Sequence, residues 1–222
     1  MKKVLVTGAN RGIGKQISLD LLALGCKVYA GARDIAKLKE AFPEKSDLLY
    51  FIEIDVTDES TVEKAASKIS ALDVVINNAG VGVGETDLAE ANLEEVKRIF
   101  EVNFFGPMLV NKHFIPHLKN SADGTIINIS SQMGGLNALV GGYAGYRLSK
   151  AGLNAQTIML ANELRPYGIK VNSMCPGWVK SDMGGAGAPR TVQQGADTAV
   201  FLATDSNIGT GRFYTERNVR EW

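Results

Sequence analysis

The sequence predicts a doubly wound α/β fold: one domain over residues 1–222, built on a seven-stranded parallel sheet flanked by helices. Three observations predict it. Short β-branched runs alternate almost strictly with longer segments of helical period, and a glycine-punctuated turn joins the first strand to the first helix. No repeat, low-complexity tract or proline-rich linker divides the chain, and 222 residues with 45% hydrophobic content can bury one sizeable core.

In chain order, the apolar runs predict strands at Lys3–Thr7, Lys27–Ala30, Leu49–Ile54, Val74–Asn77, Thr125–Ile129, Lys170–Met174 and Arg212–Tyr214. Apolar periodicity predicts helices at Gly12–Leu24, Ile35–Phe42, Glu59–Ser70, Leu93–Asn120, Gly142–Arg165 and Thr191–Ala203. Residues Gly177–Arg190 are the most irregular, and Gly184-Gly185-Ala186-Gly187 marks a mobile loop of the kind that covers sites.

Charge narrows the partners. Lys+Arg and Asp+Glu both total 24, so no basic field draws nucleic acid or an anionic membrane, and a small molecule is expected. No apolar run approaches the ~20 residues of a membrane span. Met1-Lys2-Lys3 leads through a short apolar run into the glycine turn, unlike a secretory signal, so a cytoplasmic protein is expected. Cys26 and Cys175 have no metal or redox spacing and read as buried free thiols. His113 and His117 lack a third ligand at zinc spacing and read as helix-face residues. Neither follows a strand, where the base of a Ser-His-Asp hydrolase normally sits.

Thr7-Gly8-Ala9-Asn10-Arg11-Gly12-Ile13-Gly14 stands between the first strand and the first helix. In a Rossmann-type unit, Gly8 permits the tight turn, Gly12 lets the backbone approach a pyrophosphate, and Gly14 lets helix and strand pack closely. The helix N-terminus then offers unpaired N–H groups to phosphate. Farther along, Tyr146 and Lys150 lie one helical turn apart on one face. A tyrosine hydroxyl titrates near pH ~10, and a neighbouring ammonium that stabilises the phenolate is expected to bring it down.

The Thr-Gly-x-x-x-Gly-x-Gly turn and the Tyr-x-x-x-Lys pair resemble those of the short-chain dehydrogenase/reductase family. The resemblance extends to Asp55-Val56, Asn77-Asn78-Ala79-Gly80, Asn103, Ser130-Ser131 and Pro176-Gly177, and it covers essentially the whole chain. Cys175 to Gly185 and the ending Val219-Arg220-Glu221-Trp222 look closest to its NADPH-dependent carbonyl reductases. By resemblance, Tyr146 supplies a proton, Ser131 holds a carbonyl oxygen, Lys150 lowers the Tyr146 pKa and grips a ribose, and Asn103 holds a water beside Lys150. Asp55 would bond the adenine amino group, and Asn77, Ala79 and Gly80 would line the adenine ribose. Asn10, Ile13, Val56, Pro176, Gly177 and Val179 complete the implied cofactor lining.

Three choices remain within that frame. NAD-binding proteins carry an acid at the end of the second strand, but here Ala32 stands there, followed by Arg33; with Arg11 from the turn this favours the 2′-phosphate of NADPH, although Asp34 is adjacent. Ser131, followed by Gln132-Met133-Gly134, fits the motif better than Ser130, which points to the other side. Tyr143 is followed four residues later by Arg147, not by a lysine, so Tyr146 is the proton donor and Tyr143 a pocket wall or helix-start anchor.

The expected activity is NADPH-dependent reduction of a small ketone or aldehyde. Trp178, Met183, Met133 and Leu139 supply adaptable apolar walls, which implies a broad preference for apolar and aromatic substrates. Only Gln132–Gly145 separates Ser131 from Tyr146, without the helical insertion of many monomeric carbonyl reductases. The faces of 93–120 and 142–165 are therefore expected to pair in a homodimer or homotetramer. An oxidising alcohol or hydroxysteroid dehydrogenase, and a catalytically silent dinucleotide sensor, are the alternatives.

Overall fold

The computed structural model describes residues 1–82 and 86–222. Its strands are β1 (Lys3–Thr7), β2 (Lys27–Ala32), β3 (Leu49–Glu53), β4 (Val74–Asn77), β5 (Thr125–Ile129), β6 (Lys170–Cys175), β7 (Phe213–Thr215) and β8 (Asn218–Arg220). Between them run the helices α1 (Gly12–Ala23), α2 (Ile35–Ala41), α3 (Glu59–Ser67), α4 (Leu93–Phe100), α5 (Gly106–Leu118), α6 (Ala144–Leu164) and α7 (Val192–Thr204).

The strands form one sheet in the order β3-β2-β1-β4-β5-β6-β7-β8. Successive side chains of a strand leave on opposite faces, and the two cores follow that alternation. Val4 and Val6 of β1 pack with Ile17 and Leu21 of α1 and with Leu202 of α7. Leu5, between them, packs with Val62 of α3, Phe114 of α5 and Leu164 of α6. The chain runs outward from β1 through β2 to β3, then returns to pair β4 with β1 in register Val4↔Val74. That reversal opens a crevice at the C-terminal ends of β1 and β4, where open α/β sheets bind ligands.

Among the described residues the sheet has eight strands where seven are expected. β8 is antiparallel to β7, and the connecting residues Glu216 and Arg217 have φ of 51° and 62°. A tight hairpin with both central φ positive normally announces itself by Asn-Gly or Asp-Gly. This one carries neither.

The helix expected over Leu93–Asn120 is divided. A π-turn at Glu101–Phe105 separates α4 from α5, with Gly106 N–H bonded to the Glu101 carbonyl. Pro107 follows and has no N–H to return to residue 103, so the wider turn meets no competing α-helical bond there. At the other predicted long helix, Tyr143 has φ 54°, and α6 starts at Ala144 rather than Gly142.

Candidate active site

The cleft at the β1/β4 switch has a volume of about 770 Å³. Its floor is stitched by Thr7, Gly8 and Asn78. The Thr7 hydroxyl accepts from the N–H groups of Asn78 and Ala79, both at 3.0 Å, and the Asn78 amide donates to the carbonyls of Thr7 (2.8 Å) and Gly8 (3.1 Å). Gly8 has φ 65°, and a Cβ there would stand 2.9 Å from Ala79 Cα. At Gly14 a Cβ would come within 2.3 Å of the Asn78 amide nitrogen, so this close approach of helix to strand end admits only glycine. α1 then begins with no side-chain cap, and Gly12, Ile13 and Gly14 of its first turn line the cleft.

One end of the cleft adjoins a depression walled by Arg11, Lys15, Arg33 and Lys37, with Asp34 and Glu40. Asp34 is engaged elsewhere: its carboxylate caps α2 by accepting from the N–H groups of Ala36 (2.9 Å) and Lys37 (3.2 Å). Arg33 stands 3.9 Å from Asp55, and Arg11 pairs with Asp182 at 2.5 Å. Both guanidinium groups are largely exposed, so each pairing is weak. Asp55 accepts from the N–H and hydroxyl of Thr57, while Asp58 caps α3.

The other end holds Tyr146 and Lys150, both lining the cleft. Burial pushes the Tyr146 phenol up to about 12, and a hydrogen bond with Ser131 acts in the opposite direction. Burial pushes the Lys150 ammonium down to about 8. The sequence expectation that Lys150 lowers the Tyr146 pKa is therefore corrected: desolvation outweighs any stabilisation of the phenolate. Lys150 Nζ lies 5.7 Å from the Tyr146 ring centroid and donates to the Ile129 carbonyl at 2.8 Å.

Asn103 sits fully buried in the π-turn. Its amide clamps the Val81 main chain from both sides, accepting from the N–H and donating to the carbonyl at 2.8 Å each, and it also donates to Ser149 at 3.1 Å.

Of the residues expected at the cofactor, Gly8, Asn10, Arg11, Gly12, Ile13, Gly14, Arg33, Asp55, Val56, Ala79, Gly80, Tyr146, Lys150 and Pro176 all line the cleft. Three expected there do not. Asn77 turns away, its amide nitrogen donating to Asn111 (3.0 Å) and Asn128 (2.9 Å) in the core behind the sheet. Adjacent strand residues face opposite ways, and Asn78 takes the cleft side. Gly177 is covered by the Arg190 side chain, and Val179, bridged to Arg190, is buried. The wall runs through Ile129 and Ser130, with Ser131 one residue beyond, its hydroxyl accepting from Met133 N–H at 3.1 Å. Of the expected apolar walls, Met183 lines the cleft; Trp178 is 60% exposed and donates to the Gly184 carbonyl at 2.7 Å.

Lys15 and Lys37 carry no expectation from the sequence, and Asn78 stands in the quoted motif without a role. Lys37 had a signal: it lies in the first turn of α2, four residues after Arg33. Cys26 and Cys175 are buried free thiols. His113 pairs with Glu59 at 3.0 Å, and burial lowers the pKa of His117. No described helix is long and apolar enough to cross a membrane.

A family model described as short chain dehydrogenase matches residues 2–191. L-xylulose reductase of Caenorhabditis elegans is 37% identical over 191 residues, 82% of this chain and 74% of that protein. Against the agropine synthesis reductase of Rhizobium rhizogenes, 29% identical over 184 residues, the chain spans only 42% of the longer protein's length. The carbonyl reductase Sniffer of D. melanogaster superposes with a TM-score of 0.93 at 28% identity, covering 100% of both chains. The NADPH-bound carbonyl reductase from chicken fatty liver superposes with a TM-score of 0.91 at 33% identity, covering 100% of this chain and 99% of that one. With a match over most of its length, the chain belongs to the short chain dehydrogenase family.

Proposed function

We propose that the chain, as one dinucleotide-binding domain over residues 1–222, reduces ketones and aldehydes to alcohols with NADPH, Tyr146 delivering the proton. One observation carries the reading: a single cleft has the glycine turn at one end and, at the other, Tyr146 and the buried Lys150, with Ser131 directly after the wall residue Ser130. The likeness to an NADPH-bound carbonyl reductase supports the choice of cofactor.

The residues present fit that cofactor. A cradle too close for a Cβ at Gly8 and Gly14, an uncapped helix start, and a corner carrying Arg11, Lys15, Arg33 and Lys37 suit a dinucleotide with an extra phosphate. When bound, NADPH supplies the hydride.

The chain's own groups handle the oxygen. The Ser131 and Tyr146 hydroxyls hold the carbonyl oxygen and stabilise the charge that develops on it. The alcohol formed is about as weak an acid as water and weaker than a phenol whose pKa burial has raised, so donation from Tyr146 runs downhill. Lys150, its ammonium fixed on Ile129, then stabilises the phenolate. Asn103 is assigned to hold a water through which the proton is restored. The oxidising direction would need Tyr146 as phenolate in the resting site, which its burial disfavours.

Met183 on the wall, with Met133 and Leu139 nearby in sequence to Ser131, supports a broad preference for apolar and aromatic carbonyl compounds. Exposed Phe105 and Met108, with Leu148 and Met159 of α6, support a homodimer or homotetramer. A cytoplasmic location completes the reading. Loss of NADPH absorbance with a panel of ketones, aldehydes and quinones tests it; binding of NADPH without turnover of any of them overturns it.

A further inference from the structure

Ser131 must be fixed against Tyr146, yet the two belong to different elements: Ser131 follows β5 and Tyr146 opens α6. One buried side chain joins both flanks of Ser131 to α6. Asn154, 5% exposed, accepts at Oδ1 from the Ser130 hydroxyl at 2.6 Å. Its Nδ2 donates to the Gly134 carbonyl at 3.3 Å. Ser130 precedes Ser131 directly, and Gly134 closes the short turn that starts from it, donating to the Ser131 carbonyl at 3.0 Å. Asn154 lies one turn beyond Lys150 and two beyond Tyr146, on the same helix face.

The packing leaves this clip little play. A Cβ at Gly134 would stand 2.6 Å from the Lys150 carbonyl carbon, so the turn sits backbone to backbone on α6. Ser130 is 1% exposed, and its hydroxyl also reaches the Lys150 carbonyl at 3.4 Å. Without Asn154, Ser130 would keep its strand pairing and its long contact to the Lys150 carbonyl, and Gly134 its close approach to α6, but no side chain would hydrogen-bond both flanks to the helix that carries the phenol.

We propose that Asn154 is a positioning residue: by holding Ser130 and Gly134 together on α6, it sets the Ser131 hydroxyl at the distance from Tyr146 that proton delivery requires. The inference rests on the carbonyl-reductase reading and deepens it. Asn154 touches neither substrate nor cofactor and acts through Ser131.

The test compares Asn154→Leu and Ser130→Ala with the unmodified protein, then repeats Asn154→Leu in a Ser131→Ala background. The expected result is a fall in kcat of about tenfold to a hundredfold for Asn154→Leu, with KM for the carbonyl and Kd for NADPH within about threefold. In the Ser131→Ala background the same change should cost less than about threefold, because the group it positions is gone. If Asn154→Leu folds poorly, Ser130→Ala removes one hydroxyl from the same clip, and its kcat-against-KM split decides. An unchanged kcat in a folded variant, or an equal loss in both backgrounds, overturns the inference alone. Absence of turnover in the unmodified protein would instead remove the reductase reading on which it rests.

Discussion

The Lys150 ammonium donates to the main-chain oxygen of Ile129 at 2.8 Å and stands 5.7 Å from the ring centroid of Tyr146, one turn earlier on the same helix. The strand end therefore fixes the ammonium beside the phenol. Burial dominates both groups, moving Lys150 down to about 8 and Tyr146 up to about 12.

That pair of shifts sets the pH dependence of reduction. Tyr146 keeps its proton throughout the neutral and mildly alkaline range, so it remains a donor. Lys150 loses its charge as pH rises through about 8. Carbonyl reduction should fall above that pH with a single inflection, measured as kcat against pH at saturating cofactor. A flat profile from pH 7 to 10 would separate the Lys150 charge from catalysis.

The same burial costs stability. Between pH 8 and 10 the unfolded chain keeps the proton that folded Lys150 has released, so unfolding takes up a proton and stability rises with pH. Relative to unmodified protein, Lys150→Met should lose turnover yet melt no lower at pH 7, and the difference in Tm should shrink toward pH 10. A lower Tm for Lys150→Met at pH 7 would show that its bond to Ile129 outweighs the desolvation of the ammonium.

Cofactor choice is localised to the corner beside β2. Arg33→Asp replaces a donor to phosphate with a repelling carboxylate, and a charge-assisted bond of about 1.5–3 kcal/mol corresponds to a factor of roughly ten to a hundred. The ratio of kcat/KM with NADPH to that with NADH should fall by that factor, and Lys37→Ala should lower it by less. An unchanged ratio in Arg33→Asp would remove the phosphate assignment.

Assembly is tested independently of chemistry. Met159 of α6 is 61% exposed, and it is assigned, with the exposed Phe105 and Met108, to contact with a second copy. The protein should elute as a dimer or tetramer from a sizing column at micromolar concentration, and Met159→Glu should shift it toward monomer. Elution of the unmodified protein as a monomer would contradict the pairing.

Much of the fold is legible because β1, β2, β4, β5 and β6 are buried on both faces, and β1, β2 and β4 read as largely apolar runs. β8 is not: its three residues are all exposed, and its turn uses Glu216 and Arg217 instead of glycine or asparagine. Val102, Phe104 and Phe105 continue an ordinary helical pattern, so the π-turn holding Asn103 leaves no trace in periodicity. The motif residues of the site can be read from spacing, but the groups that hold them are largely main-chain atoms: Ile129 and Gly134 carbonyls and both polar groups of Val81. Main-chain atoms carry no residue signature. The Asn77 side chain leaves the cleft for a readable reason, since the alternation that sends Asn78 to the cleft sends Asn77 to the core.

The central claim is that the Tyr146 hydroxyl gives the proton, and Tyr146→Phe removes that oxygen alone. NADPH binding to this variant, followed by fluorescence, should match the unmodified protein within about twofold, while kcat for carbonyl reduction should fall by at least about a hundredfold. Intact binding with turnover retained near the unmodified rate would contradict the account.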